Sequence, residues 1–231
     1  MTVISDLIQN LRKRNARVIA LQFPAGLKRK STRIAKALRE EGFSVIISGD
    51  PSYGACDLAL DLLAYADVLV HFGHTPLLYH PDVIYEPCLV DFDPSVVKKA
   101  LPLLRGRRIG LVTTVQHTHL LDVVERLLRS LGYETIIHPG EGRTPEPGQV
   151  LGCSFGTARI PEASDILFIG TGVFHPLGVQ LATGMHVVAL DPLTGNVEET
   201  DSRKFLARRH IVMEKARDAV HYGIIVSRKQ G

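Results

Sequence analysis

A chain of 231 residues, 45% hydrophobic and 22% charged, has enough apolar side chain to bury a proper core, which excludes a disordered chain, and its length allows one large domain or two of about 100 residues. The formal charge of +3 is spread out, with dense basic patches only in "LRKRNAR" and "GLKRKSTR"; these read as solvated helix faces, so no direct nucleic-acid binding is expected. No apolar run reaches the roughly 18 residues of a membrane span, and three cysteines are too few and too odd in number for a disulfide framework, which points to a reducing cytoplasm.

The N-terminal "MTVISDLIQNLRKRNAR" is amphipathic and reads as an ordinary helix, not a signal peptide. "RVIALQF" (17–23) is strand-like, and "STRIAKALREEG" (31–42) is helical, ending at Gly42 where a left-handed cap is needed. Next come a strand in "FSVIIS" (43–48), a helix in "CDLALDLLAYA" (56–66) and strands in "DVLVHFG" (67–73) and "DVIYEPCLV" (82–90). This alternation predicts an α/β fold with a small parallel sheet flanked by helices.

The second half repeats the pattern. "RRIGLVTT" (107–114) matches the first strand, and "LRSLGYETII" echoes "LREEGFSVII". "SDILFIGTG" (164–172) matches "ADVLVHFGH", and "HVVALDP" (186–192) matches "CLVDFDP" (88–94), which sets His186 opposite Cys88. The offsets are nearly constant: 91 between Arg17 and Arg108, 98 between Asp67 and Asp165, and 97 between Cys56 and Cys153. Tandem similar units follow, with domains expected at 1–100 and 101–209. Residues 210–231 read as a helix, a strand "GIIVS" and a glycine loop. Either that strand closes the second sheet or a third unit begins here and is missing; a missing or truncated third unit is the favoured reading.

Ligands of open α/β sheets bind outside the carboxyl ends of the strands. Those ends carry Gln22, His71, Gly73, His74, Gln116, Gly170, Thr171, Gly172 and His175, which are the candidate cofactor contacts. His117 sits beside them, and glycines there admit close backbone approach. Cys56 in "YGAC" and Cys153 in "VLGC" stand in the same register of the two units. Such a pair suits several chemistries. A zinc site usually has closer spacing; a thiol nucleophile needs a base such as His71 or His175; an iron–sulfur cluster takes thiolates from distant segments. Cys88 lies inside a strand-like run and reads as a small buried hydrophobe.

The stretches "QFPAGL", "GDPSYGAC", "VHFGH", "GQVLGC" and "GTGVFHPLG" resemble the diphthamide radical S-adenosylmethionine family, the archaeal first-step 2-(3-amino-3-carboxypropyl)histidine synthases, from about residue 15 onward. The resemblance implies three similar domains, each giving one cysteine to a [4Fe-4S] cluster, in a homodimer served by an electron donor protein. It further implies reductive cleavage of S-adenosylmethionine and transfer of its 3-amino-3-carboxypropyl group to a histidine of elongation factor 2. By motif, Cys56 and Cys153 carry over as cluster ligands and Cys88 does not; the third ligand belongs to a third domain. Ala25 stands where the family motif has Glu, and Lys28, Arg29 and Lys30 are a candidate surface for the elongation factor. The other reading is a cluster-free scaffold homologue acting as a partner subunit.

Overall fold

The computed structural model describes residues 2–226, in two units that divide between Cys88 and Leu89. In the first, helix α1 (Thr2–Lys13) sends Leu7 and Leu11 into the core. Strand β1 (Val18–Gln22), helix α2 (Lys28–Glu40) and strands β2 (Ser44–Ile47), β3 (Val68–Phe72) and β4 (Val83–Glu86) follow. The four strands are parallel, in the order β2-β1-β3-β4. β1 and β3 are central and almost wholly apolar, as a sheet covered on both faces requires. Each fully buried Leu or Ile there contributes roughly 1.5–3 kcal/mol.

The second unit holds β5 (Arg108–Thr113), α3 (Leu121–Ser130), β6 (Glu134–Ile136), β7 (Asp165–Ile169), α4 (Phe174–Thr183), β8 (Val187–Leu190), β9 (Val197–Glu199) and α5 (Arg203–Arg217). Its sheet runs β6-β5-β7-β8-β9; the first four strands are parallel and repeat the order of the first unit. β9 adds antiparallel to β8.

Backbone hydrogen bonds fix the correspondence between the units. Phe43 N–H donates to Leu38 O around Gly42 (φ 91°), as Tyr133 N–H does to Leu128 O around Gly132 (φ 83°). Left-handed glycine caps end both helices. Here the offset is 90 residues (38 and 128). Gly73 N–H donates to Glu86 O and Gly170 N–H to Leu190 O, so the offset is 97 at the end of the third strand and 104 on the fourth. Cys56 and Cys153 share the offset of 97. Seven extra residues therefore lie between β6 and Cys153.

That register corrects the sequence alignment in places. Leu69 N–H bonds to Asp82 O and Ile166 N–H to His186 O, so His186 corresponds to Asp82 and not to Cys88. Asp67 corresponds to Ser164, one residue before the expected Asp165, because both N–H groups bond to the equivalent carbonyls of Val18 and Arg108.

Other elements differ as well. β4 stops at Glu86, since Pro87 has no N–H for a ladder, and Cys88 follows in a left-handed conformation (φ 57°) and not within a strand. Residues 56–66 form only a 3-10 turn, Leu60–Ala64, because the chain before it is bound to β1. Residues 89–100 were expected in the first domain; their Val97 and Ala100 are fully buried in the second core. Near the chain end, residues 221–226 form no strand and are exposed; the glycine loop expected beyond them lies outside the described residues.

Candidate functional site

In the first unit the segment 48–59, between β2 and the 3-10 turn, carries Cys56 half-buried. Gln22 ends β1 and reaches into it: Nε2 donates to Asp57 O at 2.6 Å, and Oε1 accepts from Ala59 N–H at 3.1 Å. His71, on β3 beside Gln22, puts Nδ1 2.8 Å from the same Oε1. Its Nε2 lies 2.8 Å from His74 Nδ1. His71 is completely buried, and that burial, with His74 beside it, lowers its pKa to about 3. The ring is therefore neutral, and Tyr85 packs on it edge-on.

The far end of the segment is tied by Lys28, whose Nζ donates to Gly49 O at 2.8 Å and Asp50 O at 2.9 Å. Gly73 has φ 82°, and a Cβ there would come within 3.0 Å of Pro24 and Leu27; glycine is what lets the "FPAGL" and "HFGH" turns pack together. Ala25 starts the 3-10 turn Ala25–Leu27. Ser52, 4% exposed, has a hydroxyl without a hydrogen-bond partner. Cys88 packs against the first core, and burial pushes its thiol pKa up.

In the second unit the segment 138–157 is held mainly by backbone. Thr113 N–H donates to Gly148 O and accepts at its own carbonyl from Val150 N–H, both at 2.8 Å, so the segment joins the end of β5 as a short parallel bridge. Leu151 and Ser154 exchange N–H···O bonds of 2.8 and 3.1 Å, which places Cys153 at the tip of a tight turn, exposed. Arg143 Nη1 lies 3.9 Å from its sulfur.

The other predicted residues are distributed along this unit. Gly170, Thr171 and Gly172 form the turn from β7 to α4; Gly170 is buried and the other two are exposed. His175 begins α4, its ring stacked on Phe168 at 6.2 Å, and burial lowers its pKa. Gln116 lies between β5 and α3, where its carbonyl accepts from Val90 N–H. Beside it, His117 Nδ1 donates to Val90 O at 2.9 Å, and burial lowers that ring's pKa too.

The structure thus joins Gln22, His71 and His74 in one chain against the Cys56 segment. Gln22 and His71, expected as cofactor contacts, are 1% and 0% exposed; Gln22 bonds to the loop, and His71 to Gln22 and His74. Sequence reasoning missed Lys28 as a loop tie, having read it only as part of a basic patch. It also missed the buried pair Asp165–His186, 2.6 Å apart, whose signal was an acid at the start of an otherwise apolar strand. Among the described residues no group of three or more His, Cys, Asp or Glu side chains forms a metal site.

Known proteins resemble this chain along nearly its whole length. The family described as "Putative diphthamide synthesis protein" matches residues 23–231. A 2-(3-amino-3-carboxypropyl)histidine synthase of Pyrococcus horikoshii is 36% identical over 234 residues, covering 98% of this chain and 68% of that protein. Subunit 1 of the synthase from Saccharomyces cerevisiae is 29% identical, covering 96% of this chain and 56% of the subunit. The crystal structure of Dph2 from Pyrococcus horikoshii with a 4Fe-4S cluster superposes with a TM-score of 0.87 at 35% identity, over 98% of this chain and 69% of that one. The chain spans about two thirds of the Pyrococcus protein and a little over half of the yeast subunit.

Proposed function

This chain belongs to the diphthamide synthesis protein family, and from that membership we propose that it acts in the transfer of a 3-amino-3-carboxypropyl group from S-adenosylmethionine to a histidine of elongation factor 2. Cys56 and Cys153 are two thiolate ligands of a [4Fe-4S] cluster. The observation that carries this reading is their register: each follows the second strand of its sheet, on equivalent segments of a duplicated fold. The likeness to a cluster-bearing structure supports the same assignment.

The residues fit the group. Both thiols are unpaired and reach the surface, half-buried at Cys56 and exposed at Cys153. Thiolate is the donor such clusters select. The buried hydroxyl of Ser52, four residues before Cys56, is an orphan that a bound ligand would satisfy. Cys88 suits the group less well: it packs against the first core, and burial pushes its thiol pKa up. A third thiolate would come from outside the described residues, in a further domain or another chain.

When bound, the cluster supplies the electron that breaks the Cγ–S bond of S-adenosylmethionine. The protein's part is to hold the ligands and orient the polar cofactor. Gly170–Gly172, His175, Gly73, His74 and Gln116 are the strand-end residues proposed to face it. Elongation factor 2 as substrate, a homodimer, an electron donor protein and a cytoplasmic setting belong to the same proposal. No helix among the described residues is long and apolar enough to cross a membrane.

Anaerobic reconstitution with iron and sulfide tests this directly. With the remaining third of a relative added in trans to supply the third thiolate, the wild-type chain and Cys88→Ala should gain the brown absorption of a cluster, and Cys56→Ala and Cys153→Ala should each lose it. A full cluster in either of the last two ends the reading; no cluster in any of them favours a cluster-free partner subunit.

A further inference from the structure

The hydrogen bonds around Gln22 run in one direction. Its amide orientation is fixed by the backbone, because Nε2 faces a carbonyl and Oε1 faces an N–H. Oε1 can only accept, so His71 must carry its proton on Nδ1. A neutral ring then leaves Nε2 as acceptor, and the donor to it is His74 Nδ1–H, 2.8 Å away. His74 donates to His71, His71 to Gln22, and Gln22 to the residue after Cys56.

The second unit shows that the fold does without this chain. At the positions of Gln22, His71 and His74 it has Val112, Phe168 and Thr171, by the offsets of 90 and 97, and its loop is held by the backbone of Thr113. A buried amide and imidazole cost desolvation that Val and Phe avoid. The extra polar groups of the first unit act on one target, the segment 57–59.

We propose that Gln22 and His71 are positioning residues for Cys56, clamping the backbone just beyond it so that the thiolate is presented to its ligand in one orientation. Only the identity of that ligand rests on the cluster reading; the clamp stands on its own bonds. Buried polar networks that are fully satisfied specify a single arrangement in this way.

Two substitutions test it in the metal-free, reduced protein. Gln22→Met keeps the bulk and removes every bond. Alkylation of Cys56 and amide exchange at Ala59 should speed up about tenfold, the scale of one lost hydrogen bond. Cys88 and Cys153 report on the two units and should keep their wild-type rates. Gln22→Glu is an isostere only while protonated, when its O–H can donate to Asp57 O. Ionised, it still accepts from Ala59 N–H but faces Asp57 O with no proton, so alkylation of Cys56, taken relative to wild type at the same pH, should match at about pH 5 and run faster by about pH 8. An unchanged Cys56 rate in Gln22→Met, equal acceleration of Cys56 and Cys88, or a Cys56 rate ratio in Gln22→Glu that does not change with pH would overturn the clamp. Should the wild-type chain take up no cluster with the remaining third of a relative in trans while these rates behave as expected, the cluster reading fails and the clamp survives.

Discussion

The two cysteine-bearing segments reach equivalent places by different means. In the first unit the connection from β2 to Cys56 is short and depends on side chains, with Gln22 gripping the residues just after the cysteine and Lys28 the residues at its start. The second unit has seven more residues before Cys153. It folds that length on itself, through the bridge to Thr113, the Glu141–Thr144 pair and the Leu151–Ser154 turn. Backbone anchorage cannot be removed by changing a side chain, whereas a side-chain clamp can be cut without unfolding the sheet. The first loop is therefore the tunable one, and the second is the rigid one.

The largest predicted effect tests that rigidity. A Cβ on Gly140 would lie 1.9 Å from Pro145 O and 2.2 Å from its carbonyl carbon, and backbone cannot step aside. Gly140→Ala should destabilise the second unit by about 3 kcal/mol or more, read from denaturant unfolding. In the short loop a Cβ on Gly54 meets nothing nearer than Cys56 Sγ at 3.4 Å, so Gly54→Ala should cost under about 0.5 kcal/mol. Equal costs would erase the contrast between the loops.

Next in size is a contrast at the opposite strand ends. Where the first unit has Val68, the second has Asp165, fully buried. Burial pushes its pKa up, but the bond from His186 and the N–H groups of Gly106 and Arg105 outweigh that and hold it below the usual carboxylate range. Asp165→Asn should cost about 2–4 kcal/mol at neutral pH. A depressed carboxylate stabilises the fold above its unfolded pKa of about 4, and that contribution fades as pH falls further. The gap between wild type and Asp165→Asn, measured by urea midpoints, should narrow below about pH 4; a gap that widens would mean the carboxyl is already protonated.

How much of this was legible beforehand follows from where the signals lie. The duplication was readable because apolar periodicity and glycine caps are local, so "LREEGFSVII" and "LRSLGYETII" announced the same helix, cap and strand. The family followed from strand-end motifs, and the comparisons bear it out. The exact register of Asp165, and the partner of Cys88, were not readable. Both depend on hydrogen bonds between strands that are far apart in sequence, and on lengthened connections whose added residues carry no periodic signal. The residues 56–66 misled for a related reason: their apolar spacing suits a helix, but Gln22, more than thirty residues earlier, takes the Asp57 carbonyl that a helix would use. Gln22 and His71 stood out only by their place at strand ends; burial cannot be read from a residue's type, so the bonds from Gln22 to the loop and from His71 to Gln22 were not legible.

The smaller effects lie in the tunable loop. His71 has a folded pKa of about 3 against an ordinary value of about 6.5, so the unfolded chain binds more protons between those limits and stability falls on acidification through that window. The slope approaches about 1.4 kcal/mol per pH unit for one proton. His71→Phe, which installs the residue found at 168, should remove this part of the slope while costing about 1–2 kcal/mol at neutral pH for the lost bond to Gln22. The two proteins should then match in stability near about pH 5. A parallel pH profile in the variant would place the acid sensitivity on the other depressed imidazoles, His117 and His175, in the second unit.

Lys28 should matter least. The residue is half-exposed, and water can replace either carbonyl contact, so Lys28→Met, which keeps the apolar stem, should cost about 0.5 kcal/mol or less. It holds Gly49 and Asp50, well before Cys56, whereas Gln22 holds Asp57 and Ala59 immediately after it. Alkylation of Cys56 should therefore rise less in Lys28→Met than in Gln22→Met. The reverse order would move the controlling grip to the front of the loop, and with it the residue that sets the direction of the thiol.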